Sequence, residues 1–350
     1  MEGSNEEIIT PLKKKSLLWL LGLLLAVGLV FGLLYNVRLS QLKSTLSSWS
    51  SLHLALAAVC ALIAILMRGL RWGLILDQLG NRNYGLAMNM AHVGLMLNAI
   101  FPLRTGDLYK VFFVGRLGLL PYHKALIALI FERALDALVL YGFYIVSIFM
   151  LGETNKAHID IYGAQVPKDY IANAFDSLAL LIAGVFAFFY LLQLRVAKQI
   201  LIAAYRLSRG FAHKGLRKLY VIHESFIEVV RQIRNPLSLA LILILSLLPW
   251  ILFAFSIYIV SLGFQGAQLD FTHAIFVASV ALIAVQLPSI PGGWGLFEAG
   301  GVIAIVSYSS LNVPIAFSVV LMAHLCQYIP TILAGLFSQV ILLIKPQLKT

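Results

Sequence analysis

Eight ionisable side chains interrupt otherwise apolar stretches of this 350-residue chain: Arg104, Asp107, Lys110, Arg116, Glu132, Arg133, Asp136 and Glu298. If those stretches lie in a bilayer, each charge near its centre costs about 2.5 kcal/mol or more. Eight facing lipid would cost on the order of 20 kcal/mol, more than a typical folding stability. They must pair with one another or face water. In the run FERALDAL, Glu132 and Asp136 stand i, i+4 on one helix face, and Arg133, three residues before Asp136, reaches the same partners. Two chemistries fit this pattern: an ion-pair cluster that staples helices together, or a charged pathway through the membrane.

A second stretch, VQLPSIPGGWGLFEAGG over residues 285–301, places two prolines, five glycines and a carboxylate in apolar surroundings. Glycines let backbone N–H groups point into a cavity, and a helix beginning near Trp294 or Gly295 would aim its positive end at an anion. Gly292, Gly293 and Gly295 are therefore candidate phosphate-binding positions, with no metal required. A turn whose glycines only permit close packing is the alternative. Glu298, one turn inside that helix, would compete with a phosphate, so it is cast as a gate, a proton carrier or the partner of a basic residue. Arg104, Lys110 and Arg133 are the candidates for direct contact with the anion.

These groups need elements to hold them. The chain is 61% hydrophobic and 12% charged, the composition of an integral membrane protein, and no polar segment is long enough for a separate soluble domain. Residues 1–350 are read as one all-α polytopic transmembrane domain. A bilayer core of about 30 Å needs about 20 helical residues. Full crossings are expected at 16–35, 52–72, 125–151, 176–194, 236–262 and 314–344, the last two being overlong and carrying Pro249 and Pro330, with kinks or tilts expected.

The connection 195–235 holds nine Lys or Arg against Glu224 and Glu228, whereas 152–176 holds two Lys against four acids. The first is therefore cytoplasmic and the second external. With alternating crossings the tail 1–15 and both termini fall in the cytoplasm, and the protein belongs in the cell membrane. The first apolar run is read as a retained anchor and not a cleaved signal.

Alternation leaves two regions that must return to the side they came from, 85–120 and 272–311. Each reads as a short arm, a break and a second arm, with FPLRTGD in the first and PSIPGGWG in the second. Pairs of thin full crossings are the alternative. The breaks share the spacing Pro-x-x-x-Gly (Pro102/Gly106 and Pro291/Gly295) followed by a carboxylate, Asp107 or Glu298. Two opposed broken or re-entrant hairpins at matching places in two halves point to an inverted repeat with a transport site between them.

The remaining features carry less. Arg68 and Arg71 with Trp72 read as an interface anchor of snorkelling arginines that attracts anionic headgroups to the entrance. Eight scattered histidines form no HExxH or similar pair, so no metal or other cofactor is expected, and His324 is read as a packing residue. Cys60 and Cys326 imply no disulfide framework. The net charge of +11 is the excess expected of cytoplasmic loops and an anionic lipid surface, not a nucleic-acid footprint. Basic loops and an apolar exterior permit a homodimer.

The stretches RGLRW, NAIFPLRTGDLYK, FERALD and PSIPGGWGLFEAG, in that order, resemble the lysylphosphatidylglycerol synthase transmembrane region, a flippase-like domain family found alone or as the membrane half of MprF-type proteins. The similarity extends over nearly the whole chain. The resemblance implies a helical domain that moves phospholipids or polyprenyl-phosphate-linked lipids between leaflets. It puts functional weight on Arg104, Asp107, Glu132, Arg133, Asp136, Gly292, Gly293, Gly295 and Glu298. Without a soluble aminoacyl-transferase domain, this sequence is not expected to make lysylphosphatidylglycerol itself. The leading expectation is a lipid flippase working by alternating access. The alternatives are a membrane transferase acting on a lipid phosphate, and a non-transporting scaffold for a lipid-biosynthetic enzyme. No catalytic constellation supports the transferase.

Overall fold

The computed structural model describes residues 49–81, 83–152, 158–161, 164–167, 235–264, 266–285 and 291–344, with scattered helical positions between 173 and 232. In chain order these form α1 (Ser51–Gln78), α2 (Tyr84–Ile100), α3 (Thr105–Arg116), α4 (Tyr122–Leu151), β1 (His158–Ile161), β2 (Ala164–Pro167), α5 (Pro236–Leu262), α6 (Phe271–Ala284), a 3-10 turn (Pro291–Gly293), α7 (Leu296–Tyr308) and α8 (Val313–Ile344). The helices α1, α4, α5 and α8, of 28, 30, 27 and 32 residues, are long and apolar enough to cross a bilayer. They correspond to four of the expected crossings. The other two, at 16–35 and 176–194, lie outside the described residues or nearly so, as do the tail 1–15 and most of the basic connection 195–235.

The short helices start where the sequence supplies a cap. Asn83 accepts a hydrogen bond from the Leu86 amide at the head of α2, and Asp270 accepts from His273 N at 2.8 Å at the head of α6. Asn235 caps α5 through Leu237 N, with Pro236 in the first turn, where a missing N–H costs nothing. At 1.5 Å per residue, α2, α3, α6 and α7 span only about 18 to 26 Å, less than the bilayer core. Each expected hairpin is thus a pair of short helices around a break.

The breaks have different chemistry. In the first, Leu103 and Arg104 both adopt positive φ (58° and 53°), a conformation that non-glycine residues rarely take and that costs about 1 kcal/mol or more each. In the second the same region is occupied by Gly292, Gly293 and Gly295, for which it is nearly free. The backbone at Arg104 is therefore imposed by its surroundings.

Two apolar clusters organise the packing. One joins α4, α5, α6, α7 and α8 around Phe253, Phe297 and Phe317; the other joins α1, α2, α3 and α4 around Trp72, Leu76 and Met90. The arms of the first hairpin touch almost backbone to backbone. A Cβ on Gly106 would sit 1.8 Å from the Gly94 carbonyl oxygen, and a backbone atom cannot rotate away. Gly106→Ala is expected to lower stability by about 1–3 kcal/mol, measured as a lower midpoint of thermal unfolding in detergent. An unchanged midpoint would contradict so close an approach.

The described residues are helical as expected, with one short β hairpin besides. Between α4 and α5, in the connection expected to be external, β1 and β2 pair antiparallel with His158 opposite Pro167 and Ile161 opposite Ala164. Strands of four residues satisfy one another's backbone groups by pairing.

Candidate functional site

Three helices bring the charges of the sequence to one place. From α4 come Glu132, Arg133 and Asp136; from α3, Asp107 and Lys110; from α1, Arg68 and Arg71. Arg71 donates to Asp136 Oδ1 at 2.7 Å and to Glu132 Oε1 at 3.0 Å. Glu132 is the hub, since it also accepts from Lys110 Nζ at 2.7 Å and from Arg133 Nη2 at 2.9 Å. Arg133 further approaches Asp136 at 3.4 Å and Asp107 at 4.0 Å. Asp107, which lies 3.8 Å from Lys110, accepts from Asn98 Nδ2 and donates its own N–H to Asn98 Oδ1, both at 3.2 Å. Trp250 of α5 donates Nε1–H to Asp136 Oδ1 at 3.1 Å, and its ring lies under Arg68 at 4.8 Å.

The placement separates the cations into two sets. Arg71 is 0% exposed and Lys110 2%, and each is held by two carboxylates, with the Trp72 ring lying 4.3 Å from Lys110 Nζ. They neutralise buried carboxylates, as burial of charge requires. Arg104 and Arg133 keep 26% and 22% of their side chains exposed and, with Arg68, line a cavity of about 180 Å³.

Two sequence-based assignments are corrected here. Lys110, expected to touch the anion, is enclosed among carboxylates. Arg71, expected at an interface with Arg68, is in the protein interior, because α1 continues past Trp72 to Gln78 and α4 supplies the counter-charges. The even balance of charges also changes. Arg116 lies over Phe112 and Glu298 is bound elsewhere, so five cations (Arg68, Arg71, Arg104, Lys110, Arg133) meet three carboxylates (Asp107, Glu132, Asp136) among the described residues.

The cavity lies where the two breaks meet. Arg104 Nη2 donates to the carbonyl of Val285 at 3.2 Å, and Tyr328 Oη donates to the carbonyl of Ala99, next to the first break, at 3.4 Å. Gly292 and Gly293 line the cavity; Gly295 does not. The expected anion-facing helix end is also corrected. At the start of α7 the Gly295 N–H is taken by Glu298 Oε2 at 2.6 Å, so the helix caps itself with its own carboxylate. Glu298 is fully buried, and its other oxygen faces His324 Nδ1.

Residues that sequence reasoning passed over complete the wall: Asn98, Trp250, Gln327 and Tyr328, together with His324, for which the sequence suggests only packing. Gln327 Oε1 and Arg68 Nε are buried with no hydrogen-bond partner among the described residues. The sequence held one signal for this group. An arginine or histidine inside an apolar run needs a polar partner, and Gln327 and Tyr328 follow His324 within about one helical turn.

A family model described as the lysylphosphatidylglycerol synthase TM region matches residues 19–335. The chain is 24% identical over 337 residues to a protein of Haloferax volcanii named Glycosyltransferase AglD, covering 91% of this chain and 53% of that one. It is 25% identical over 260 residues to a UPF0104 membrane protein of Methanothermobacter thermautotrophicus, covering 72% of each. The chain thus spans about half the length of the haloarchaeal relative.

Proposed function

From the premise that this chain belongs to the lysylphosphatidylglycerol synthase transmembrane-region family, a family of multi-pass membrane proteins, we propose that it carries a phosphate-bearing lipid between leaflets, holding the headgroup in the cavity between the two breaks. The observation that carries this reading is the excess, among the described residues, of two cations over carboxylates around a cavity lined by Arg68, Arg104 and Arg133. Unbalanced positive charge in a low-dielectric interior is costly, and a phosphate diester or monoester offsets it through charge-assisted hydrogen bonds.

The cavity, about 180 Å³, has room for a phosphate and a small substituent but not for acyl or polyprenyl chains, which would remain in the lipid. Ile65, Leu95, Phe253 and Leu282 supply apolar wall on the way. The unpartnered acceptor of Gln327 suits a headgroup that has a hydroxyl or ammonium to donate. For transport, Arg104 and Arg133 would exchange carboxylate contacts for phosphate as one hairpin moves against the other. The inverted repeat and the cytoplasmic termini belong to the same proposal.

The test is reconstitution in liposomes containing a trace of fluorescent phosphatidylglycerol or polyprenyl phosphate, with loss of inner-leaflet protection from a membrane-impermeant quencher added outside as the readout. Protein-dependent acceleration for phosphate-bearing lipids is the expected result. No acceleration for any of them would overturn the flippase reading. A relative named as a glycosyltransferase makes the transferase the second reading, and a new glycosylated or otherwise modified lipid in the same liposomes would favour it.

A further inference from the structure

His324 lies between two hydrogen-bond acceptors. Its Nδ1 is 2.5 Å from Oε1 of Glu298, and its Nε2 is 3.2 Å from the carbonyl oxygen of Gly292. A neutral imidazole has one N–H and one lone pair. A backbone carbonyl never donates, and a carboxylate donates only when protonated. Both contacts are therefore attractive together only when the His324–Glu298 pair carries one proton beyond a neutral ring beside a carboxylate. Imidazolium with carboxylate and imidazole with carboxylic acid both meet this condition, and both leave the pair neutral.

Removing that proton leaves the pair at −1 and sets a lone pair against an acceptor at one of the two contacts. The Glu298 carboxylate, fixed by the Gly295 N–H at 2.6 Å, keeps the remaining Nδ1–H, because a charge-assisted bond is the stronger. The contact that fails is the one to Gly292. Gly292 has φ +62°, and a Cβ there would lie 3.0 Å from the Ala99 carbonyl at the end of α2, so this contact fixes the second break where it meets the first.

The ring has Trp294 and Phe297 at 4.3 and 4.4 Å and Tyr328 at 6.0 Å. It lines the same cavity as Arg68 of α1, Arg104 at the first break and Arg133 of α4, while α5 and α6 add Trp250, Phe253 and Leu282, none of them ionisable. Glu298 of α7 and Tyr328 of α8 are the other titratable groups against the ring, and Asp107, Glu132 and Asp136 stand with the arginines.

We infer that this cavity binds a proton together with its anion: the His324–Glu298 pair is the proton site, and the proton is the coupling ion of transport. The inference rests on the anion reading of the same cavity. A bound phosphate favours the more positive state of the pair. The protonated pair in turn holds the Gly292 break in the arrangement that forms the cavity wall. By linkage the coupling is reciprocal, so a proton raises affinity for the anion by the factor with which the anion raises affinity for the proton.

The experiment is calorimetric titration of the full chain in detergent with glycerophosphoglycerol, whose phosphodiester does not titrate near neutral pH, in two buffers of different ionisation enthalpy. Wild type is expected to take up protons on binding, with affinity falling by up to about tenfold per pH unit as pH rises through the range in which the pair loses its proton. His324→Gln, which keeps a hydrogen-bonding side chain but binds no proton, and Glu298→Gln are each expected to abolish that uptake. Binding with buffer-independent heats in wild type would overturn the proton site and leave the anion site standing. Absence of binding would strike the anion reading, and the proton inference with it. Unchanged uptake in both variants would place the proton elsewhere and overturn the assignment to this pair.

Discussion

Glu132→Ala is expected to be the most damaging single substitution in the charged centre, lowering stability by about 3–5 kcal/mol. Glu132 accepts from three cations, Lys110 at 2.7 Å, Arg133 at 2.9 Å and Arg71 at 3.0 Å. Its loss raises the cationic excess from two to three and leaves the enclosed Lys110 with Asp107 at 3.8 Å and the Trp72 ring. Arg71→Ala removes bonds of similar length but lowers the excess, so local bonding and net charge oppose each other there, and the loss should be smaller. Unfolding in a denaturant series in detergent measures both. A Glu132→Ala protein as stable as wild type, or one more stable than Arg71→Ala, would contradict the assignment of Glu132 as hub.

The second large effect is on transport. Arg104 is a quarter exposed, and its contacts include a 3.2 Å bond to the Val285 carbonyl and a 4.0 Å approach to Asp107. Arg104→Ala should therefore cost about 1 kcal/mol or less of stability, the range of partly solvated ion pairs. If Arg104 grips the phosphate, the same change should slow lipid translocation on the order of 100-fold, the loss typical when a preorganised donor to an oxyanion is removed. Arg104→Lys should restore only part of the rate, because an ammonium lacks the guanidinium fork. Wild-type translocation by a folded Arg104→Ala protein would remove Arg104 from the headgroup site.

Local chemistry was legible in the sequence, and the rotation of helices was not. Proline and glycine in apolar runs marked both breaks, and the i, i+4 spacing of Glu132 and Asp136 put them on one face. Apolar composition located α1, α4, α5 and α8 to within a few residues, apart from the C-terminal end of α1. The part played by Arg71 was hidden because its partners lie 61 and 65 residues away, and a helix apolar all round does not declare which face meets a neighbour. His324 was hidden for the same reason, since Glu298 lies 26 residues away on another helix. The start of α7 was misjudged on a finer point: the carboxylate three residues into a helix that suggested a gate also reaches back to the helix's own first amide. The β hairpin escaped because four-residue strands carry too little alternation to stand out.

The central claim is that a lipid phosphate sits among Arg68, Arg104 and Arg133 beside Gly292. Electron cryo-microscopy of the protein in nanodiscs of anionic phospholipid, with mass spectrometry of the copurified lipid, tests it most directly. Headgroup density within hydrogen-bonding distance of those guanidinium groups, with its chains leading into the bilayer, is the expected result. A cavity holding only water, with every lipid confined to the outer surface, would contradict it.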